Sequence, residues 1–174
     1  MKLQDYEISI PEGKESDGYV SLVHNTQYTL KLMNHGSRLA DVEVFIDGHP
    51  VGEWRLRTHA EAIIERPVND TGKFTFYKLG TEESAAAAIH SSDELGLIKV
   101  VFKPESRALF APSEKLDEGG TGLSGHSQQK FSSVSPLRSA PEDHVTIYLR
   151  LGAKPIDARP LRPSTTKIPP SLRK

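Results

Sequence analysis

The sequence contains no cysteine, which excludes a disulfide framework, a zinc–thiolate site and a cysteine nucleophile. It also has no apolar run approaching the ~20 residues that a membrane-spanning helix needs. The sequence also has no excess of one charge, because its 22 Lys and Arg residues nearly balance its 23 Asp and Glu residues. With 36% hydrophobic residues in a chain of 174, this balance excludes a collagen, a coiled coil and a wholly disordered polyelectrolyte. The chain is long enough for about one globular domain.

Targeting and cofactor motifs are missing too. Residues 1–7 have neither the apolar segment of a secretory signal nor the Arg- and Ser-rich face of a transit peptide. A cytoplasmic location is therefore the default expectation. Walker and dinucleotide-binding motifs, which cradle phosphates, are absent, and we expect no cofactor.

Apolar and polar residues alternate along much of the chain, which is the period of β-strands. The clearest case is residues 41–57, where two alternating runs flank Asp47-Gly48. This dipeptide predicts a hairpin, because a type I′ turn needs two residues with positive φ. Gly52 in the return strand predicts a bulge, and Trp54 lies on the apolar face of that strand. Further strands are predicted at residues 6–10, 18–24, 28–33, 61–65, 73–79, 97–103 and 144–151.

Two of the remaining segments have distinctive patterns. Residues 97–103 are apolar at nearly every position, which predicts a strand buried on both faces. Thr81 followed by Glu82, Glu83 and an alanine run predicts a short helix with Thr81 as its N-cap.

Eight or nine short strands with one short helix predict an all-β fold, an antiparallel β-sandwich of jelly-roll-like form. We place this domain at residues 1–151, with a long Gly- and Pro-containing loop at about 104–122. Residues 152–174 differ in kind, since they carry six Lys or Arg residues and five prolines against a single Asp. Proline blocks helices and central strands, so this segment is predicted to be an extended basic tail.

The block from residue 28 to 76 resembles a group of small uncharacterised β-rich proteins. The resemblance lies in the pattern DVxVxIDGxxVGxWR at residues 41–55, then IERP at 64–67 and FTF at 74–76. It implies a β-rich fold and brings no activity, ligand or catalytic residue with it. The phrase around Asp47-Gly48 is also similar to hairpins of jelly-roll sugar-binding domains, where it is a folding element.

Three patterns bear on catalysis. No two of the seven histidines are spaced at i+2 or i+4, the spacings that aim two imidazoles at one ion, so we expect no metal site. Residues 122–126 read GLSGH, which departs from the nucleophile elbow G-x-S-x-G at its last position. Glu53, Glu61 and Glu65 lie near strand ends, and a pair of them about 5–10 Å apart would be the acid and base of a glycosidase.

Basic residues supply the candidate contact sites. Arg55, Arg57 and Arg66 form a candidate anion- or partner-binding patch, with a solvated strand face as the simpler alternative. In the tail, Arg159, Arg162 and Lys167 are candidate contacts for an acidic protein groove. Nucleic acid is not expected there, because the tail has no aromatic residue to stack on bases.

The sequence thus favours a non-catalytic structural or protein-interaction module whose partner is another protein or a second copy of the chain. The alternative is a carbohydrate-binding sandwich, with Trp54 or tyrosines at the rim stacking on sugar rings. A glycoside-type hydrolase is the third interpretation.

Overall fold

The computed structural model describes residues 1–106 and 132–153. Strands dominate this part of the chain, which has a single short α-helix, α1, and a 3₁₀ turn at Pro141–Asp143. The strands are β1 (Lys2–Leu3), β2 (Tyr6–Ser9), β3 (Lys14–Ser16), β4 (Tyr19–Ser21), β5 (Thr26–Gln27), β6 (Leu30–Asn34), β7 (Ala40–Ile46), β8 (His49–Leu56), β9 (Ala60–Ile64), β10 (Thr75–Phe76), β11 (Leu97–Pro104) and β12 (Val145–Gly152), and α1 is Glu82–Ala86.

Two sheets make the layers of the fold. One has four strands in the order β1-β2-β6-β9, and the other has six in the order β3-β4-β12-β11-β7-β8. A two-stranded ribbon, β10-β5, flanks them. Neighbouring strands are antiparallel except β4 and β12, which run parallel. The predicted all-β sandwich with one short helix is confirmed.

The core lies between the inner faces of the two sheets. The Tyr6 ring of β2 stacks on the Phe102 ring of β11 with centroids 4.5 Å apart, which joins the layers directly. Around this pair the buried apolar side chains largely alternate along the strands, as one inward face requires, although Asp41 of β7 and Arg150 of β12 are buried as well. The buried apolar side chains include Ile8, Leu30, Leu32, Val42, Val44, Leu56, Ile64, Ile98, Val100, Ile147 and Leu149.

The hairpin predicted from Asp47-Gly48 is present between β7 and β8. Both residues have positive φ, 52° and 80°, as a two-residue type I′ turn requires. The register shifts after Val44, which faces Gly52, so the predicted bulge is also present. A Cβ at Gly52 would lie 2.6 Å from the Val68 side chain and 2.7 Å from the Trp54 ring, and this close approach requires glycine.

Two strand predictions are corrected. β11 is not buried on both faces, because Lys99, Val101 and Lys103 are only half-buried on the outer face of the six-stranded sheet. The strand predicted at residues 73–79 shrinks to Thr75–Phe76, since its neighbours bond elsewhere. The Lys78 amide donates to His24 Nδ1 at 3.1 Å instead of to a neighbouring strand.

The predicted helix is confirmed with its cap. The Thr81 hydroxyl accepts a hydrogen bond from the Ser84 amide at 3.2 Å, and the Thr81 amide donates to the Ser84 hydroxyl at 3.1 Å in return. The described helices are too short and polar to span a bilayer. Residues 107–122 of the predicted long loop, and the predicted tail from residue 154 onward, lie outside the described residues.

Candidate functional site: a cleft at one end of the sandwich

A cleft of about 350 Å³ opens at one end of the sandwich. It lies where β7 and β12 end and β11 begins, and the segment around β10 closes it from the other side. Apolar and aromatic side chains line most of its wall, and the cleft therefore has the character of a ligand or side-chain pocket. The apolar and aromatic lining residues are Tyr28, Ile46, Phe76, Tyr77, Leu79, Ile89, Leu95 and Leu151.

Asp47 places a carboxylate in this apolar surrounding. The hairpin turn fixes its position, and its Oδ1 accepts a hydrogen bond from the Gly96 amide at 2.6 Å. Burial raises the pKa of Asp47, although the Gly96 amide and the nearby His49 and Arg150 act in the opposite direction. The cleft thus contains a partly desolvated acceptor.

Tyr28 lies beside this carboxylate and is only 4% exposed. Its ring stacks on Phe74 with centroids 5.7 Å apart, while its hydroxyl makes no hydrogen bond within the described parts of the chain. Burial, together with the charge of Asp47, raises the pKa of Tyr28, so the phenol keeps its proton at neutral pH. Tyr28 belongs to the cleft lining, so its hydroxyl has hydrogen-bonding capacity left for a ligand.

Arg150 supports the wall of the cleft from within the fold. Its guanidinium is buried and donates to the carbonyl oxygens of Leu95 at 3.1 Å and Asp93 at 2.9 Å. These bonds hold the segment that precedes β11 against the end of β12. Burial lowers the pKa of Arg150, and Asp47 is one of the negative charges that counteract this. Positive charge is therefore already present next to Asp47.

The rim of the cleft exposes apolar side chains. Leu79, which lines the cleft, is 44% exposed, and Val23 near the same rim is 76% exposed. Val23 is tied to this side of the molecule because its neighbour His24 bonds the Lys78 amide and packs on Tyr77 with ring centroids 6.1 Å apart. Exposed apolar residues around a cleft are typical of an interaction surface.

The three arginines of the predicted patch have different environments. Arg55 forms a bidentate ion pair with Asp41 at 2.8 and 3.2 Å and also donates to the Ser135 carbonyl. Arg66 is buried and donates to the carbonyl oxygens of Pro67 and Asp70. Arg57 follows β8 and is exposed. The structure therefore gives Arg55 and Arg66 places within the fold, while Arg159, Arg162 and Lys167 lie outside the described residues.

The candidate carboxylates of a hydrolase each face a lysine. Glu53 is 3.1 Å from Lys103, Glu61 is 2.7 Å from Lys31, and the buried Glu65 is 3.4 Å from Lys73. Within residues 1–106 and 132–153, no three His, Cys, Asp or Glu side chains are grouped closely enough to hold a metal ion.

Sequence reasoning named Asp47 only as a turn residue and Tyr28 only as a strand residue. Their joint position depends on pairings between distant strands, and their spacing in the sequence carries no signal of it. The one local feature that points to the cleft is Leu79, an apolar residue at the end of a predicted strand that the structure shows to be exposed.

The chain matches no protein-family model, no curated protein and no solved structure. Its function has to be inferred from the cleft itself.

Replacing Asp47 by asparagine should raise the free energy of unfolding at pH 7 by about 0.5–1 kcal/mol. The ionised carboxylate is disfavoured by burial, and Asn-Gly suits the type I′ turn at least as well. Because the pKa of Asp47 is higher in the folded than in the unfolded state, protonation stabilises the folded wild type. This gain begins as the pH falls through the raised folded-state pKa and is complete below the unfolded-state pKa. The advantage of the variant should therefore shrink between pH 7 and pH 3, as measured by urea unfolding.

Asp17→Asn is the matched control for this prediction. Asp17-Gly18 makes the equivalent turn between β3 and β4, with φ of 51° and 84°, but Asp17 is exposed. Any gain in the free energy of unfolding that comes from the turn preference of Asn-Gly should appear in both variants. If Asp17→Asn and Asp47→Asn have the same pH profile, burial of Asp47 is not the cause.

Proposed function

We propose that the protein is a non-catalytic protein-interaction module that receives an apolar anchor of a partner protein in the cleft. The supporting observation is the cleft itself, about 350 Å³ in volume, with the exposed Leu79 in its lining. The exposed Val23 is the neighbour of His24, which contacts the lining residues Tyr77 and Lys78. Protein interfaces are centred on such pockets, which take one large side chain of the partner while the rim excludes water.

The charged groups near the cleft favour binding over catalysis. The Asp47 carboxylate accepts a hydrogen bond from the Gly96 amide, and the Arg150 guanidinium donates hydrogen bonds to two backbone carbonyls. Asp47 Oδ1 and the Arg150 guanidinium therefore help to hold the wall of the cleft together, and only the second Asp47 oxygen is left to contact a bound group.

A glycan-binding sandwich is the second candidate, because one observation favours it. On the outer face of the six-stranded sheet, Tyr148, Lys99 and Phe45 lie in register across β12, β11 and β7. Lys99 Nζ lies 4.8 Å from the centre of the Phe45 ring. A row of rings and a cation on a sheet face suits a sugar, whereas Trp54 is half-buried and packs against the core.

Two variants of the full chain separate the candidates. Thr75→Trp fills the cleft, and the matched Thr146→Trp adds the same bulk to the outer face of the six-stranded sheet. Peptides selected on the wild type from a random display library should lose binding to Thr75→Trp by at least about tenfold. Thr146→Trp should retain it, and unchanged melting temperatures would show that both variants fold.

The opposite pattern would contradict the proposal. Loss of peptide binding only in Thr146→Trp would move the interaction to the outer face, and a glycan array would then test the second candidate. Failure to select any peptide would also count against the cleft. Light scattering at high concentration tests whether the partner is a second copy of the chain.

A further inference from the structure

We propose that the cleft recognises a phenol, so that the anchor it takes from the partner protein is a tyrosine side chain. This inference rests on the proposed function and specifies it. It depends on two polar groups of a mostly apolar cleft. They are the Tyr28 hydroxyl, which has no hydrogen-bond partner among residues 1–106 and 132–153, and the Asp47 carboxylate.

The walls of the cleft suit an aromatic ring. Phe76 and Tyr77 come from the β10 segment, and Ile46 and Leu151 come from the ends of β7 and β12. Flat and branched side chains in one cleft offer apolar surface against which a ring can pack. The volume of about 350 Å³ accommodates one such ring with its stem.

The polar groups suit a hydroxyl on that ring. Asp47 uses Oδ1 for the Gly96 amide, which leaves its second oxygen as an acceptor, and Tyr28 can donate as well as accept. A phenol can donate to the carboxylate and accept from Tyr28 at the same time. Its bond to a carboxylate is charge-assisted and therefore stronger than one between neutral groups.

The charges around Asp47 favour a neutral anchor over a charged one. Arg150 lies inside the fold near the carboxylate, and Lys78 belongs to the cleft lining. An ammonium would add another positive charge to this group, and a carboxylate would be placed against Asp47 itself. A phenol brings neither penalty.

Four probes test the inference on the full-length wild type. They are p-cresol and toluene, which differ by a hydroxyl, together with n-butylamine and propionate as the cationic and anionic probes. Titration followed by NMR chemical shifts should give p-cresol an affinity about three- to tenfold above that of toluene. The two ions should bind more weakly than p-cresol.

The outcomes separate this inference from the proposed function. If toluene binds as tightly as p-cresol, or if either ion binds more tightly, the phenol inference is wrong while the cleft remains an anchor pocket. If neither p-cresol nor toluene shifts the signals of cleft residues, the proposed function fails as well.

Tyr28→Phe gives a second, independent measurement. The hydroxyl has no partner within the described part of the chain, so its removal should leave the melting temperature nearly unchanged. Affinity for p-cresol should fall about three- to tenfold, and affinity for toluene should not. Tyr6→Phe is the matched control, since Tyr6 is equally buried but stacks on Phe102 in the core. An unchanged p-cresol affinity in Tyr28→Phe, or an equal loss in Tyr6→Phe, would overturn the inference.

Discussion

Replacing Arg55 by alanine is expected to lower the free energy of unfolding by about 3 kcal/mol. The side chains of Arg55 and Asp41 are only 13% and 9% exposed, and they form a bidentate pair. Removing Arg55 leaves the Asp41 carboxylate buried without its counter-ion. The loss should therefore far exceed that of an ordinary surface ion pair.

The same substitution should loosen the chain that follows residue 131. Arg55 donates a hydrogen bond to the Ser135 carbonyl, and Asp41 accepts one from the Leu137 amide at 2.8 Å. The ion pair therefore joins β7 and β8 to residues 135–137. Faster hydrogen exchange of the Leu137 amide would report this local release. Exchange that is unchanged while stability falls would show that the pair stabilises only the sheet.

Arg57→Ala is the control, since Arg57 lies two residues further along the same chain segment and is exposed. Exposed charged residues contribute at most about 1 kcal/mol. Both variants are measured by urea unfolding at neutral pH. Equal losses in the two would mean that burial of the Arg55–Asp41 pair does not determine its contribution.

Local sequence information was enough to predict the hairpin, the bulge and the short helix, whereas the short strands β1, β3 and β5 were not predicted. Asp47-Gly48 is positioned between two alternating runs, and steric limits on positive φ leave few alternatives to the observed hairpin. Thr81 likewise marks the start of α1 through a contact with Ser84, three residues away. The bulge at Gly52 follows from the same kind of short-range rule.

The functional site depends on long-range pairing and could not be predicted in the same way. Gly96 meets Asp47 because β11 pairs with β7, and it meets Leu151 because β11 also pairs with β12. Arg55 is a candidate partner contact in the sequence, with a solvated strand face as the simpler alternative, because the sequence does not reveal its bonds to Asp41 and the Ser135 carbonyl. Charge and spacing alone cannot distinguish a buried ion pair from a solvated one.

Gly96→Ala is expected to lower the free energy of unfolding by about 3 kcal/mol and to abolish binding in the cleft. Gly96 has φ of +71°, and a Cβ on it would lie 2.7 Å from the Leu151 carbonyl oxygen. Backbone cannot move aside as a flexible side chain can, and the Leu151 amide already donates to the Gly96 carbonyl at 2.8 Å. The added methyl group must therefore push the end of β12 away from the start of β11. Both residues line the cleft, so its shape changes with them.

Gly80→Ala separates this clash from the cost of the backbone conformation. Gly80 has φ of +87°, close to that of Gly96, but a Cβ there has nothing within 4 Å. It should cost only about 1 kcal/mol, the strain of a left-handed alanine, and leave toluene and p-cresol binding unchanged. Urea unfolding and the same NMR titrations measure both quantities. If Gly96→Ala costs no more than Gly80→Ala, close contact between Gly96 and Leu151 does not determine the shape of the cleft wall.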